Sequence, residues 1–231
     1  MMTARQKTQT WQCAAVFFFL CCSWIVTGCE QQESVPAADR AAETPVYEGV
    51  IIAVGDSLTA GLGVAEHEAY PALLERKLKQ SGYNFHIINA GISGETSSGA
   101  LSRIGWIIAQ QPDIVILETG ANDGLRGIPS HVIYENITKT VQLLKNGRVT
   151  VVLAGMQMLQ NLGPVYTREF AALYPKVARE QAIILLPFFL QGVAGVPTLN
   201  QPDMIHPTAA GHRIIAETVY PYVLKAIQDD S

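Results

Sequence analysis

Four short segments carry side chains suited to moving an acyl group. Gly55-Asp56-Ser57-Leu58 follows directly on an apolar run at 50–54. A serine there stands at the carboxyl edge of a strand. The glycine before it permits a tight turn, and the helix start after it offers unpaired backbone N–H groups. Asn89-Ala90-Gly91-Ile92-Ser93-Gly94-Glu95-Thr96 is a Gly-rich turn able to bring a backbone N–H against a ligand. Gly120-Ala121-Asn122-Asp123-Gly124 ends another apolar run and offers the Asn122 amide to the same crevice. Asp203-Met204-Ile205-His206-Pro207 sets a carboxylate three residues before an imidazole. That spacing lets one short loop hold the ring, fix its tautomer and stabilise its charged form.

Taken singly, each segment also has a plain structural role: a helix cap, a turn, or a solvated loop. Asp56 and Asp123 read as turn-fixing residues. His67, His86, His131 and His212 lack the Asp-x-x-His context and read as surface or packing residues. No metal-ligand cluster is visible, so the chemistry is expected to need neither metal nor cofactor.

The elements that must position these groups are legible as alternation. Apolar, β-branched runs recur at 50–54, 85–89, 114–117, 149–153 and 182–186, as buried parallel strands do. Helical stripes lie between them. Tyr70, Leu73, Leu74 and Leu78 share one face, as do Leu101, Ile104 and Ile108. Val132, Ile133, Ile137, Val141 and Leu144 form a third stripe opened by Pro129. A last helix is expected from about Pro207 and Thr208, with Pro221 kinking or dividing it. Five strands alternating with helices predict a three-layer α/β/α sandwich around a central, mostly parallel five-stranded sheet. Ligands in such sheets bind at the carboxyl ends of the strands, where the four segments fall. No Gly-rich phosphate fingerprint is present.

The chain of 231 residues has a net charge of −4, which argues against nucleic acid as a partner. Its cysteines are Cys13, Cys21, Cys22 and Cys29, so the body holds neither a disulfide framework nor a Cys-based zinc site. Arg5 and Lys7 precede an apolar stretch at 13–26, too short for a comfortable membrane span. It ends in Val26-Thr27-Gly28-Cys29, which resembles a bacterial lipobox. That likeness implies a lipoprotein signal over 1–28, acylation of Cys29, and an exported, membrane-anchored protein facing the periplasm or the cell exterior. Residues 29–48, rich in Ala, Gln, Glu and Pro, read as the lipidated cysteine and a flexible tether reaching ~25 Å. The domain proper is expected over 49–231.

Together the four segments resemble the GDSL or SGNH hydrolases, whose name records a Ser, a Gly, an Asn and a His from four blocks. The stretches Tyr70–Leu78, Asn122–Gly127, Tyr174–Arg179 and Leu186–Phe189 are similar to the thioesterase I/protease I/lysophospholipase branch and related arylesterases. The resemblance covers roughly 50–226 and implies a flavodoxin-like sheet of the SGNH-hydrolase type. It implies Ser57 as nucleophile, His206 as base and Asp203 as its orienting acid. The Ser57 N–H, the Gly94 N–H and the Asn122 side chain would form the oxyanion hole. Gly91 competes with Gly94, which is preferred because Ile92-Ser93-Gly94-Glu95-Thr96 follows the branch pattern, with Glu95 in place of the usual Asp.

The implied activity is ester hydrolysis on small-molecule or lipid esters: aryl esters, lysophospholipids or acyl thioesters. The rivals are a carbohydrate O-acetylesterase of the cell envelope and a non-enzymatic envelope lipoprotein. Ile92, Leu125, Met156, Met158, Leu159 and Leu162 are candidates to line an acyl pocket. Oligomeric state is not readable from the sequence.

Overall fold

The computed structural model describes residues 46–158 and 162–229. The segment read as a signal, Cys29 and most of the tether lie outside the described residues.

The strands are β1 (Gly49–Gly55), β2 (Phe85–Gly91), β3 (Ile114–Glu118), β4 (Thr150–Ala154) and β5 (Ile184–Leu186). All pair in parallel, in the order β2-β1-β3-β4-β5. β1 and β3 lie at the centre, and from Ile51 to Leu117 their apolar side chains are out of water on both faces. This is why those runs are continuous rather than alternating. Val54 pairs with Leu117 and with Ala90, so β1, β2 and β3 end level with one another.

The helices are α1 (Ser57–Ala60), α2 (Tyr70–Gln80), α3 (Ser97–Ala109), α4 (Ala121–Leu125), α5 (Ser130–Asn146), α6 (Pro164–Gln181) and α7 (Ala209–Asp229). α2 packs against α7, while α5 packs against both α3 and α6. Right-handed crossovers explain the division. The chain steps one way from β1 to β2 through α2, then the other way from β2 onward through α3, α5 and α6. The direction reverses between β1 and β3, and there the following loops part to leave a crevice. Tyr70, Leu74 and Leu78 of α2, and Ile133, Ile137, Val141 and Leu144 of α5, are fully buried, as their spacing predicts.

β1, β2 and β3 each run one or two residues beyond the expected bounds, and three other boundaries differ for local reasons. β4 starts at Thr150, because the Val149 N–H still bonds back to Leu144 in closing α5. β5 starts at Ile184, because Ala182 is the left-handed residue ending α6, at φ 50°. α7 begins at Ala209 and continues through Pro221 as one helix. Pro221 lies on the exposed side, so the carbonyl that loses its helical donor faces water.

Candidate active site

The turn after β1 is shaped by Asp56. Its Oδ1 accepts the Leu58 N–H at 2.9 Å, capping α1 and placing Ser57 at the first helical position. Gly55 is required by close approach: a Cβ there would lie 2.1 Å from Thr59 Oγ1 and 2.5 Å from Glu118 Oε2. Ser57 is only 8 % exposed, so its hydroxyl is reachable solely from the crevice.

The loop before α7 delivers the imidazole. An antiparallel bridge joins Asn200 to Pro207, and the Gln201 N–H bonds to the His206 carbonyl at 2.7 Å, closing the loop's neck. Asp203 Oδ1 accepts the backbone N–H groups of Ile205 and His206, at 2.9 and 3.0 Å. Its Oδ2 lies 2.7 Å from His206 Nδ1, and His206 Nε2 lies 2.9 Å from Ser57 Oγ. The His206 N–H and ring and the Ile205 N–H hold the Asp203 carboxyl down at about 2. It is therefore ionised at any working pH and takes its hydrogen bond from the Nδ1–H tautomer, which leaves Nε2 free to accept from Ser57. Gln201, which the sequence reading passed over, ties the two halves together. Its Nε2 donates to the Leu62 carbonyl at 2.6 Å, just past α1, and to the Pro207 carbonyl at 3.0 Å.

Asn122 lies in the first turn of α4, beyond β3. Its Nδ2 donates to Asp56 Oδ2 at 2.9 Å, so Asp56 both caps the serine turn and grips the asparagine. Asp123 has a separate task. It accepts the Ser97 N–H at 2.8 Å and hydroxyl at 2.6 Å, pinning α3 to α4. Asp56 fixes its turn as read from sequence and in addition reaches a site residue, whereas the Asp123 carboxyl ties two helices together rather than its own turn.

The two glycine candidates are placed differently. Gly91 is inside β2, its N–H bonds to Asn89 Oδ1 at 3.0 Å, and a Cβ would strike Ala60 N at 2.2 Å. Gly94 is in the turn beyond, at φ +79°, with its carbonyl held by Arg126 Nη2 at 2.9 Å. Glu95 braces this turn through paired bonds of 2.6 Å from the Arg103 Nε and Nη2 groups. Arg103 Nη2 also donates to the Ala90 carbonyl at 2.7 Å.

A cavity of about 120 Å³ opens beside these groups, lined among others by Leu58, Leu125, Met156, Met158, Phe188 and Ile205. Leu125, Met156 and Met158 were expected there. Ile92 and Leu162 are not in its lining, and Leu159 lies outside the described residues. Phe188 and Ile205 were not foreseen, since they come from the loops after β5 and before α7. Elsewhere, His212 is fully buried and accepts the Tyr70 N–H on Nδ1 at 3.3 Å. Burial pushes its ring down to about 4, so it is a neutral packing group.

Residues 53–214 match the family described as GDSL-like lipase/acylhydrolase. The chain is 38 % identical over 172 residues to esterase TesA of Pseudomonas aeruginosa, covering 74 % of this chain and 86 % of that one. It is 37 % identical to an arylesterase of Vibrio mimicus, over 76 % of this chain and 88 % of the relative. It is 34 % identical to thioesterase 1/protease 1/lysophospholipase L1 of Escherichia coli strain K12, over 78 % and 86 %. Among solved structures, the psychrotrophic esterase EstA of Pseudoalteromonas sp., inhibited by monoethylphosphonate, superposes with a TM-score of 0.75. It shares 32 % identity, over 78 % of this chain and 100 % of that one.

Proposed function

The chain belongs to the GDSL-like lipase/acylhydrolase family and is a serine hydrolase of the esterase type, and we propose that it cleaves carboxylic esters through an acyl-enzyme on Ser57. The observation that carries this reading is the continuous line from Asp203 through His206 to Ser57, with contacts of 2.7 and 2.9 Å.

Ser57 Oγ attacks the ester carbonyl carbon as His206 Nε2 takes its proton, and the carbonyl π electrons move onto oxygen. The Ser57 and Gly94 N–H groups and the second amide hydrogen of Asn122 hold that oxyanion. Gly94 is preferred to Gly91 because the Gly91 N–H is already engaged by Asn89. The intermediate collapses, and His206 returns the proton to the departing alcohol, phenol or thiol. A water then gives its proton to His206 and attacks the acyl carbon; as the second intermediate collapses, His206 returns that proton to Ser57 Oγ, releasing the acid and free Ser57. Asp203 stabilises the imidazolium formed in each half.

The substrate range proposed is aryl esters, lysophospholipids and acyl thioesters. Ligand pockets commonly hold ~300–1,000 Å³. A cavity of about 120 Å³ therefore favours short acyl chains, with the leaving group outside. None of the relatives above is named for polysaccharide deacetylation, and that rival is not proposed. The test is a panel of p-nitrophenyl esters, acyl thioesters and lysophospholipids of graded acyl length. Rates should be highest on short acyl chains; a flat response to chain length would remove the cavity from the acyl site.

Asn122→Ala should lower kcat by ~10²-fold or more while changing KM little, because an oxyanion donor acts chiefly in the transition state. Steady-state kinetics on an aryl ester checks this, and a loss confined to KM would make Asn122 an ordinary substrate-binding group.

We further propose that Cys29 is acylated and anchors the enzyme outside the cytoplasm. The support is the short apolar stretch ending in Val26-Thr27-Gly28-Cys29. In the bacterial cell, Cys29→Ser should give an unprocessed or soluble product without acyl chains. Mass spectrometry of a processed, acylated Cys29→Ser protein would remove the anchor.

A further inference from the structure

Beneath the serine turn lies a carboxyl group that the reaction does not touch. Glu118 ends β3, is 0 % exposed, and has an apolar strand before it. Its Oε2 accepts the Asp56 N–H at 3.2 Å and the Thr59 hydroxyl at 3.0 Å. Its Oε1 is buried without a donor. None of the ion pairs among the described residues includes Glu118 or Asp56. Asp56 already receives N–H groups from Leu58 and Asn122, which favour its charged form. Glu118 lies deeper and has an oxygen to spare.

We propose that Glu118 is a positioning residue: its buried carboxyl accepts the Asp56 N–H and the Thr59 hydroxyl, and thereby holds Asp56 as the acceptor that aims the Asn122 amide at the developing oxyanion. The chain runs Glu118 to Asp56 to Asn122 and joins the ends of β1 and β3, the two strands that flank the crevice. Burial pushes the Glu118 carboxyl well above the usual range, and the neighbouring Asp56 charge pushes it further. A proton on Oε1 also removes the cost of a buried, unpartnered carboxylate oxygen. Gly55 is left without a side chain because a Cβ would fall against Glu118 Oε2 and Thr59. The first motif therefore makes room for the carboxyl beneath it.

This inference rests on the reading of Asn122 as an oxyanion donor, and the experiment separates the two. In the full chain, Glu118→Leu keeps volume and removes the acceptor, whereas Glu118→Gln keeps a carbonyl oxygen to accept the Asp56 N–H and the Thr59 hydroxyl. Glu118→Leu should lower kcat by about 10- to 10²-fold, the scale of a misplaced catalytic group, with KM little changed. Glu118→Gln should recover most of that loss. In an Asn122→Ala background, Glu118→Leu should cost almost nothing more, because the group it aims is gone. The same loss in both backgrounds would overturn the positioning role while leaving Asn122 in place. Full kcat in Asn122→Ala would overturn the oxyanion reading and the positioning role together. If Glu118→Leu does not fold, Glu118→Gln decides: a folded variant with strongly reduced kcat means that the retained acceptor does not position Asp56, and the proposal fails.

Discussion

Ser57→Ala should remove essentially all turnover, a loss of about 10⁵–10⁶-fold in kcat, from a protein that still folds. Among the described residues the hydroxyl meets the His206 side chain, with Nε2 at 2.9 Å, and alanine is well tolerated at the first turn of a helix. The helix cap belongs to Asp56 and survives the change. A fluorophosphonate offers a direct check. Ser57 Oγ attacks phosphorus, fluoride leaves, and the phosphonyl group remains on the enzyme. Mass spectrometry should find one adduct on Ser57 in the native chain and none in the variant. An adduct on another serine, or unchanged turnover in Ser57→Ala, would give the nucleophile's role to a different residue.

Asp203→Asn should cost about 10³–10⁴-fold in kcat without displacing the loop. The asparagine oxygen still accepts the Ile205 and His206 N–H groups that Asp203 Oδ1 now holds. The amide nitrogen then faces His206 Nδ1, and the ring must carry its hydrogen on Nε2. In that tautomer it offers Ser57 a donor rather than a base. The wild-type kcat/KM should fall on acidification, because only the neutral imidazole accepts the serine proton. Asp203, held at about 2, stays ionised across the whole assay range and does not supply that acidic limb. His206→Ala should lose as much as Ser57→Ala and lack that limb. A pH–rate profile of the three proteins is the measurement. An acidic limb that persists in His206→Ala, with substantial activity, would place the base elsewhere.

The parts legible in the sequence are those governed by local patterning. A buried parallel strand must be apolar on both faces, so β1 and β3 announce themselves, and the residues that follow fall at the carboxyl edge. Asp203 and His206 are three apart and share one loop, so their pairing needs no tertiary knowledge. Glu118 and Asp56 are 62 residues apart, and nothing in either local sequence records that the Asp56 N–H meets the Glu118 carboxyl. A signal for Glu118 existed: a charged residue closing a fully buried strand needs a reason. Gln201 gave no such signal, because its partners Leu62 and Pro207 are backbone carbonyls of any residue type. The brace between Arg103 and Glu95 joins a turn to a helix eight residues on, where a charged pair reads equally well as a solvated face. The cavity wall was half legible, since Met156 and Met158 follow a strand, whereas Phe188 and Ile205 arrive through loops whose course is set only by packing.

The parallel sheet also decides how this enzyme can be attached to other things. β1 runs seven residues from Gly49 to the turn bearing Ser57, about 20 Å at ~3.3 Å per residue. The chain thus enters the domain at the edge opposite the mouth. α7 starts just after His206 and runs back for 21 residues, bringing Asp229 beside Thr150 and Ile184 at the amino ends of β4 and β5. Both ends of the domain therefore emerge on the blind side. An affinity tag, a resin linkage or a fused partner at either end leaves the crevice open to bulk solution. The whole domain can be spliced into a surface loop of a carrier protein with its catalytic side pointing outward.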